Sequence, residues 1–393
     1  MTGAERLPIL PLLALGMAAF VTIVTETLPA GLLTLMADDL SITPAAAGQS
    51  VTVYAIGSFI AAIPLMSLLQ GWRRRRLLLL TLAGFTLANT VTAFATDYWL
   101  LLAARGIAGI AAGILWALLA GFAASMAPVH KRGKAIAIAM AGTPLALSIG
   151  VPIGTFVGNL IGWRLCFAML SVMSLLLIIV LRLSAPDHGA AAVQQRLSLR
   201  RVAQLPGVGG VLLLVLCFVL AHNLLYTYIS PFLAPAGLTA RTDAVLLLFG
   251  LCSLASIAVT GVLIDRHLHR LTVLSVGLFM LAALLLQLNA SSASTVWVAV
   301  TLWGLAFGGA ATLFQTAMVI RAKAATDIAQ SMLVTVWNLA IAGGGVLGGI
   351  VLQHTGTGGF TPLLLLLLAV AMGVAWVTGK KTCAGEQQSF IEQ

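Results

Sequence analysis

Three ionisable side chains lie inside apolar runs of this 393-residue chain: the carboxyl of Glu26, the guanidinium of Arg105 and the imidazole of His222. Such groups are costly in hydrocarbon and mark proton or substrate pathways. Glu26 is the only acid well inside a run, so it is the candidate proton carrier; the alternative is a protonated structural group near the backbone freed by Pro29. Arg105 either tunes that proton site or ties its helix to neighbouring carbonyls.

The composition is that of a polytopic membrane protein. Hydrophobic residues make up 60% of the chain and charged residues only 8%, with a mean hydropathy of +1.07, whereas a soluble domain carries about a quarter charged residues. The four cysteines have no disulfide or metal-ligand spacing. The cysteines therefore predict no metal site, and we expect no cofactor apart from the proton that Glu26 would carry as coupling ion. The net charge of +10 falls in short loops, which indicates membrane topology and not nucleic-acid binding.

Apolar runs of about 20 residues predict an all-α integral membrane fold with twelve transmembrane helices, here called spans 1 to 12. Thr43 and Pro44 are expected to begin span 2 as N-cap and first helical residue. The spans lie near residues 9–35, 45–70, 76–96, 98–126, 134–161 and 163–183, and then near 208–234, 242–264, 271–290, 294–320, 328–352 and 358–379. They form two six-helix bundles, residues 1–183 and 207–393, joined by a polar interdomain loop at 184–206.

Lys and Arg are concentrated in the termini and in the loops after even-numbered spans. The positive-inside rule then places both termini and the 184–206 loop in the cytoplasm. The two halves also resemble one another, as an internal duplication should. Pro29 follows Glu26 by three residues as Pro231 follows Tyr228, and the glycine-rich run that begins at Arg105 in span 4 is matched by one that begins at Trp303 in span 10.

Four motifs in this order resemble the major facilitator superfamily, and specifically its twelve-span drug:proton antiporter branch. They are T-E-T-L-P-A-G-L-L at 25–33, R-G-I-A-G-I-A-A-G at 105–113, G-T-P-L-A-L-S-I-G-V-P-I-G at 142–154 and G-V-L-I-D-R-H-L-H-R at 261–270. The resemblance implies two pseudo-symmetric bundles around a midplane cavity, export of drug-like or sugar-like molecules by alternating access, and a bacterial inner-membrane location. It also implies proton coupling through Glu26 and the intramembrane Arg105.

The third and fourth motifs predict residues that serve conformational change. In span 5, glycines every four residues form a smooth helix face for close packing, and prolines add kinks. The cytoplasmic loop at 261–270 resembles the family's latch between neighbouring helices. The residues concerned are Gly142, Pro144, Gly150, Pro152, Gly154, Gly261, Asp265 and Arg266.

Aromatic and amide side chains within the spans are candidates for the substrate pocket, because such walls suit a moderately apolar ligand. The alternative for each is helix packing or a lipid-facing position. His222 is either a second titrating group or a neutral, hydrogen-bonded histidine. The candidates are Tyr54, Trp116, His222, Asn223, Tyr226, Phe314, Gln315, Trp337 and Asn338.

The leading hypothesis is a proton-coupled exporter that acts as a monomer, with a small-molecule substrate and the lipid bilayer as its partners. A facilitator or importer of the same fold is the nearest alternative. An intramembrane enzyme is disfavoured, since Glu26, Arg105 and His222 match no recognised catalytic spacing. The chain also has no phosphate-binding glycine-rich loop followed by Lys and Ser or Thr, which argues against direct ATP coupling.

Overall fold

The computed structural model describes residues 7–61, 69, 72–128, 131–185, 199–322 and 325–391, and these residues form helices and no strand. Ten stretches are long and apolar enough to cross a membrane. One of them, Ile328–Val377, contains spans 11 and 12, and span 2 is supplied by the 17-residue helix Pro44–Ile60. The prediction of an all-α fold with twelve spans is therefore confirmed.

Contacts divide the chain into two compact units. The first consists of Met1–Gln194 with Thr227–Pro231, and the second of Gln195–Tyr226 with Phe232–Gln393. The predicted interdomain loop at 184–206 lies mostly outside the described residues, which resume with the short helix Leu199–Ala203. The exact domain boundaries given above stay a prediction.

Spans 1 to 6 belong to the first unit. Their helices are Ile9–Gly31 with Leu33–Asp39, Pro44–Ile60, Arg74–Phe94, Tyr98–Ser125, a segmented span 5, and Trp163–Ser184. Span 1 runs through Pro29 and is interrupted only at Leu32, where the backbone leaves helical geometry. Span 2 begins as predicted, because the Thr43 hydroxyl accepts a hydrogen bond from the Ala46 N–H at 3.1 Å and Pro44 occupies the first turn.

Span 5 consists of Arg132–Met140, Gly142–Leu145, a π-helical turn at Ala146–Gly150, and Val151–Ile161. The turn lies between Pro144 and Pro152, neither of which has an N–H for the helix ladder. The Ser148 hydroxyl donates to the Pro144 carbonyl at 2.6 Å, and such back-bonding bends helices. The kinks expected from the two prolines thus take the form of one widened turn.

Spans 7 to 12 belong to the second unit, except for Thr227–Pro231 near the end of span 7, which group with the first unit. The helices are Val208–Thr227 with Ile229–Phe232, Thr242–Asn289 for spans 8 and 9, Ala293–Gly308 with Ala310–Ala322, Thr326–Thr355, and Phe360–Ile391. Short 3₁₀ turns occupy Ala234–Ala236, Thr239–Arg241 and Gly356–Gly359.

The motif at 261–270 is helical on both sides of a single non-helical residue, His267 (φ −133°, ψ 25°). The predicted spans 8 and 9 leave a loop at 265–270, and the structure reduces that loop to this one residue. The segment has no proline, and its one glycine is at its first position, so nothing in it breaks the helix earlier. Gly261 and Arg266 are exposed, whereas the Asp265 side chain lies outside what the structure describes.

Candidate functional site

Glu26 and Arg105 are both buried in the first unit, where span 4 packs against spans 1 and 2. The Arg105 guanidinium donates from Nη2 to the backbone carbonyl of Glu26 and from Nε to that of Ser50, each at 3.4 Å. Among the described residues no cation lies within 4.0 Å of the Glu26 carboxylate. The arginine is therefore tied to the backbone of its neighbours, and the carboxylate is not locked in an ion pair.

Tyr54 is the side chain on which Arg105 rests. The guanidinium carbon lies 4.8 Å from the centre of the Tyr54 ring and 5.8 Å from that of Phe167, a cation–π arrangement that stabilises a desolvated cation. The Tyr54 hydroxyl donates to the Thr22 carbonyl at 3.2 Å. Tyr54 was predicted to line a pocket, but it is 1% exposed and supports the arginine.

Among the described residues, several buried polar atoms close to Glu26 and Arg105 have no hydrogen-bond partner. Asn89 donates to the Thr25 hydroxyl at 3.2 Å, one residue before Glu26 in the chain. Within the described part of the chain, the buried side-chain atoms Arg105 Nη1, Ser50 Oγ and Asn89 Oδ1 have no hydrogen-bond partner. Unpaired buried polar groups are rare and suggest a strained or functional place in a structure. Sequence reasoning missed the hydroxyls because Ser and Thr are ordinary residues in apolar helices.

The glycines of span 5 lie directly against span 1. A Cβ added to Gly142 would stand 1.8 Å from the Gly16 carbonyl oxygen, and one added to Gly150 would stand 2.6 Å from the Phe20 ring. At Gly154 the neighbour is Leu28, at 2.8 Å. A side chain at Gly142 would push apart the two helices, one of which carries Glu26, and a side chain at Gly150 or Gly154 would displace the Phe20 ring or the Leu28 methyl group. Trp116, another predicted pocket residue, is half-buried and packs against the apolar core of the same unit.

His222 is the buried polar centre of the second unit. The Trp303 indole N–H donates to His222 Nδ1 at 3.1 Å, and because indole nitrogen is a donor only, the accepting Nδ1 carries no proton. The imidazole stacks on Phe307 with ring centres 3.5 Å apart and lies 5.1 Å from the Tyr226 ring. This geometry is that of a neutral histidine held among aromatic rings.

The other predicted pocket residues of the second unit are dispersed. Asn223 and Asn338 donate to the carbonyls of Val219 and Val334 in their own helices. Phe314 is fully buried in an edge-to-face contact with Phe218, and Gln315 is exposed. Trp337 is half-buried, with its ring centre 6.2 Å from that of Phe307. Around His222 the structure thus gathers only Tyr226 from the predicted set, together with residues not predicted for the pocket: Phe249, Trp303 and Phe307.

Close helix contacts also correct the predicted match between spans 4 and 10. A Cβ at Gly109 would meet the Tyr54 carbonyl oxygen at 2.0 Å, and one at Gly304 would meet that of Phe249 at 2.6 Å. The next contacts, Gly113 on Ser58 and Gly308 on Ser253, keep the same spacing. Gly109 therefore corresponds to Gly304, and the counterpart of Arg105, four residues earlier, is Val300 and not Trp303.

Comparison with known proteins gives a family match over most of the chain. A model of the Major Facilitator Superfamily matches residues 15–345. A probable sugar efflux transporter of Mannheimia succiniciproducens is 29% identical over 362 residues, which are 90% of this chain and 89% of that protein. One from Pasteurella multocida, with the same description, is 28% identical over 347 residues, 87% of this chain and 85% of that protein.

Two solved structures share the fold. One is a bacterial homologue of the human lysosomal transporter Spinster, in an inward-facing and unoccupied conformation, with a TM-score of 0.72 at 13% identity over 96% of this chain and 98% of that one. The other is the nucleoside transporter NupG, with a TM-score of 0.71 at 13% identity over 94% and 99% of the two chains. At this level of identity the two structures support the architecture alone.

Proposed function

The chain belongs to the major facilitator superfamily, and on that premise we propose that this multi-pass transporter exports a small neutral molecule in exchange for protons carried by Glu26. The observation that carries the proposal is the geometry of Glu26, a buried carboxyl whose arginine neighbour binds its backbone and leaves its carboxylate without an ion pair among the described residues. A carboxylate fixed in an ion pair is held in its charged form, whereas one without a partner is able to take up and release a proton.

A sugar-like substrate is the form of this proposal with the most support. Both relatives are described as probable sugar efflux transporters. The buried hydroxyl and amide oxygens near Glu26 offer acceptors to a ligand rich in hydroxyl groups, and Glu26 is the only carboxyl in the interior of a span. A drug-like neutral molecule is the alternative within the same mechanism. We place the protein, as a monomer, in the bacterial inner membrane, with both termini cytoplasmic on the basis of its loop charges.

In the proposed cycle, Glu26 takes up a proton when the site is open to the outside. It releases the proton when the site is open to the cytoplasm and substrate binds. A gradient of one pH unit supplies about 1.4 kcal/mol per proton, enough for about tenfold accumulation of a neutral substrate. Arg105 holds the backbone around Glu26 and supplies a fixed positive charge close to it.

Transport by purified protein in inside-out vesicles tests the role of Glu26. Addition of a transported sugar should collapse a preset pH gradient with the native protein and with Asp38→Asn, which removes an exposed acid. Glu26→Gln should leave the gradient intact. If substrate accumulation persisted unchanged in Glu26→Gln across pH 6 to 8, roughly the range in which a buried carboxyl titrates, proton coupling through Glu26 would be disproved.

Cysteine labelling tests the orientation. In a background with the four native cysteines replaced, Asp97→Cys should react with an impermeant thiol reagent added outside intact cells, and Lys131→Cys should react only after the membrane is opened. The reverse pattern would place both termini outside.

A further inference from the structure

A pocket of about 390 Å³ lies in the first unit at the junction of spans 3 and 6, away from Glu26. Its lining consists of Arg75, Arg76, Leu79, Leu80 and Arg182. The arginines come from the first turn of span 3 and the last turn of span 6. By the distribution of loop charges, this end of the two spans faces the cytoplasm.

Within the part of the chain that the structure describes, no acidic side chain neutralises the positive charge of this pocket. None of its three arginines forms an ion pair with an acid in the described residues. Arg75 donates from Nη2 to the Arg182 carbonyl, which fixes its side chain across the two spans. The Nε of Arg75 is buried and has no hydrogen-bond partner in this part of the structure. The pocket therefore holds an oriented donor that lacks an acceptor.

The start of span 3 adds backbone donors to these side chains. Arg73 is the N-cap residue, its side chain makes no capping bond, and the first turn contains no acidic residue. The first N–H groups of a helix lack intrahelical partners, and the helix dipole favours an anion there. The helix end and the three guanidinium groups all attract negative charge, so the pocket is suited to a phosphate or a similar oxyanion.

Apolar surface continues from the pocket along span 3. Leu80 is 50% exposed and Leu87, two turns further along the same face, is 55% exposed. On span 6 the neighbouring Ile179 and Leu183 are 49% and 83% exposed. A ligand that matches this surface has an anionic head and a long hydrocarbon tail.

We propose that this pocket binds the headgroup phosphate of an anionic phospholipid, whose acyl chain lies along Leu80 and Leu87. Arg75, Arg76 and Arg182 surround the phosphate. By contacting spans 3 and 6 at once, the lipid joins two helices of the first unit at the membrane surface. The site is separate from the proposed transport site, so its occupancy does not depend on the identity of the substrate.

Native mass spectrometry of delipidated protein, titrated with phosphatidylglycerol or phosphatidylcholine, tests the site. We expect one tightly bound phosphatidylglycerol and no comparable phosphatidylcholine. Each arginine near a membrane surface contributes about fivefold to the affinity for anionic lipid. Arg75→Gln with Arg182→Gln should therefore weaken binding about 25-fold. Arg76→Gln, which changes an exposed side chain and spares the Arg75 contact, should weaken it about fivefold.

The matched control is Arg200→Gln with Arg201→Gln, which removes two exposed arginines from the same predicted face of the membrane. These variants should bind the lipid as the native protein does. Equal weakening in the control and in the pocket variants would show a diffuse charge effect and overturn the proposal. Inorganic phosphate is the second arm: competition at concentrations comparable to those of the lipid would identify a free anion as the ligand and overturn the lipid assignment.

Discussion

The centres of the two six-helix units differ in chemistry at positions that the helix contacts match. In the first unit Arg105 lies over Tyr54 and binds the Ser50 carbonyl. In the second unit the counterparts of Arg105 and Tyr54 are Val300 and Phe249, both buried. The second unit makes the same close contact between its helices without any cation. Packing therefore does not require the arginine, which supports the role proposed for Arg105 beside Glu26.

The second unit accommodates its buried polar group, the His222 imidazole, in a different way. His222 is surrounded by aromatic rings and accepts from Trp303, so a neutral side chain satisfies a neutral donor. The first unit instead leaves donors and acceptors around Arg105 and Glu26 unpaired in the described residues. A partly paired network can rearrange when a proton or a ligand arrives.

The largest expected difference between the units comes from Arg105 and Val300. Arg105→Leu should abolish proton-coupled transport, while the protein still folds, because the second unit has an apolar residue at this position. Arg105→Ala, which also leaves a cavity, should lower the free energy of unfolding by about 3 kcal/mol. Val300→Leu should keep transport. These outcomes are measured by vesicle transport and by thermal unfolding of purified protein. If Arg105→Leu transported normally, the contrast between the units would have no functional meaning.

A second test concerns the matched glycines. Gly109→Ala and Gly304→Ala should each cost about 1 to 3 kcal/mol of stability through overpacking. The cost should be larger at Gly109, where the added Cβ would approach a carbonyl oxygen at 2.0 Å and not 2.6 Å. Gly209→Ala is the control, since nothing lies within 4 Å of its added Cβ. An equal unfolding temperature for all three variants would disprove the register that pairs Arg105 with Val300.

A double-mutant cycle tests the pairing of His222 with Trp303. His222→Phe leaves the indole N–H without an acceptor and should cost about 1 to 3 kcal/mol. Trp303→Phe in the same protein removes the donor, so part of that cost should be regained, with a coupling of about 1 kcal/mol. Proton exchange should persist in His222→Phe. Loss of proton exchange in this variant, with Glu26 intact, would transfer the proton role to the second unit.

The smallest effect is expected at the periphery of the first unit. Arg164 pairs with Asp39, and their side chains are 34% and 44% exposed. Exposed ion pairs contribute about 0 to 1 kcal/mol and are screened by salt. Asp39→Asn should therefore change stability by less than about 1 kcal/mol, and the change should shrink in concentrated salt. If Asp39→Asn lowered the free energy of unfolding as much as Arg105→Ala, burial would not determine the cost of losing a charge in this protein.

Hydropathy was sufficient to predict the number of spans, because each helix that crosses a bilayer needs a long apolar run, independently of the helices against which it packs. The placement of Glu26 and Arg105 in the interior also followed from the cost of a charge in lipid. The pairing of His222 with Trp303 did not follow. It depends on how each helix is rotated about its axis, and spans that are apolar on every side carry little sequence signal for that rotation.

The match between the halves failed for a related reason. Arg105 and Trp303 each precede a glycine, Gly106 and Gly304, so the sequence favours aligning them. The structure shows that helix contact selects Gly109 and Gly113 in span 4. Gly106, whose added Cβ would meet a Val53 methyl group at an ordinary 3.5 Å, is not the glycine of closest approach. Only distances between helices distinguish the two glycines.

The π-helical turn at Ala146–Gly150 has a consequence for how the chain tolerates insertions and deletions. In a regular helix, the 16 steps from Gly142 to Gly158 would rotate Gly158 by about 160° from the direction of Gly142, and the extra residue held in a π turn reduces that rotation to about 60°. Both glycines thereby stay against span 1. Loss of one residue within the turn would give a regular helix with the same face inward, whereas loss of one residue between Gly150 and Gly158 would turn the face by about 100°. Span 5 is thus length-tolerant at its proline-flanked turn and length-intolerant beyond it.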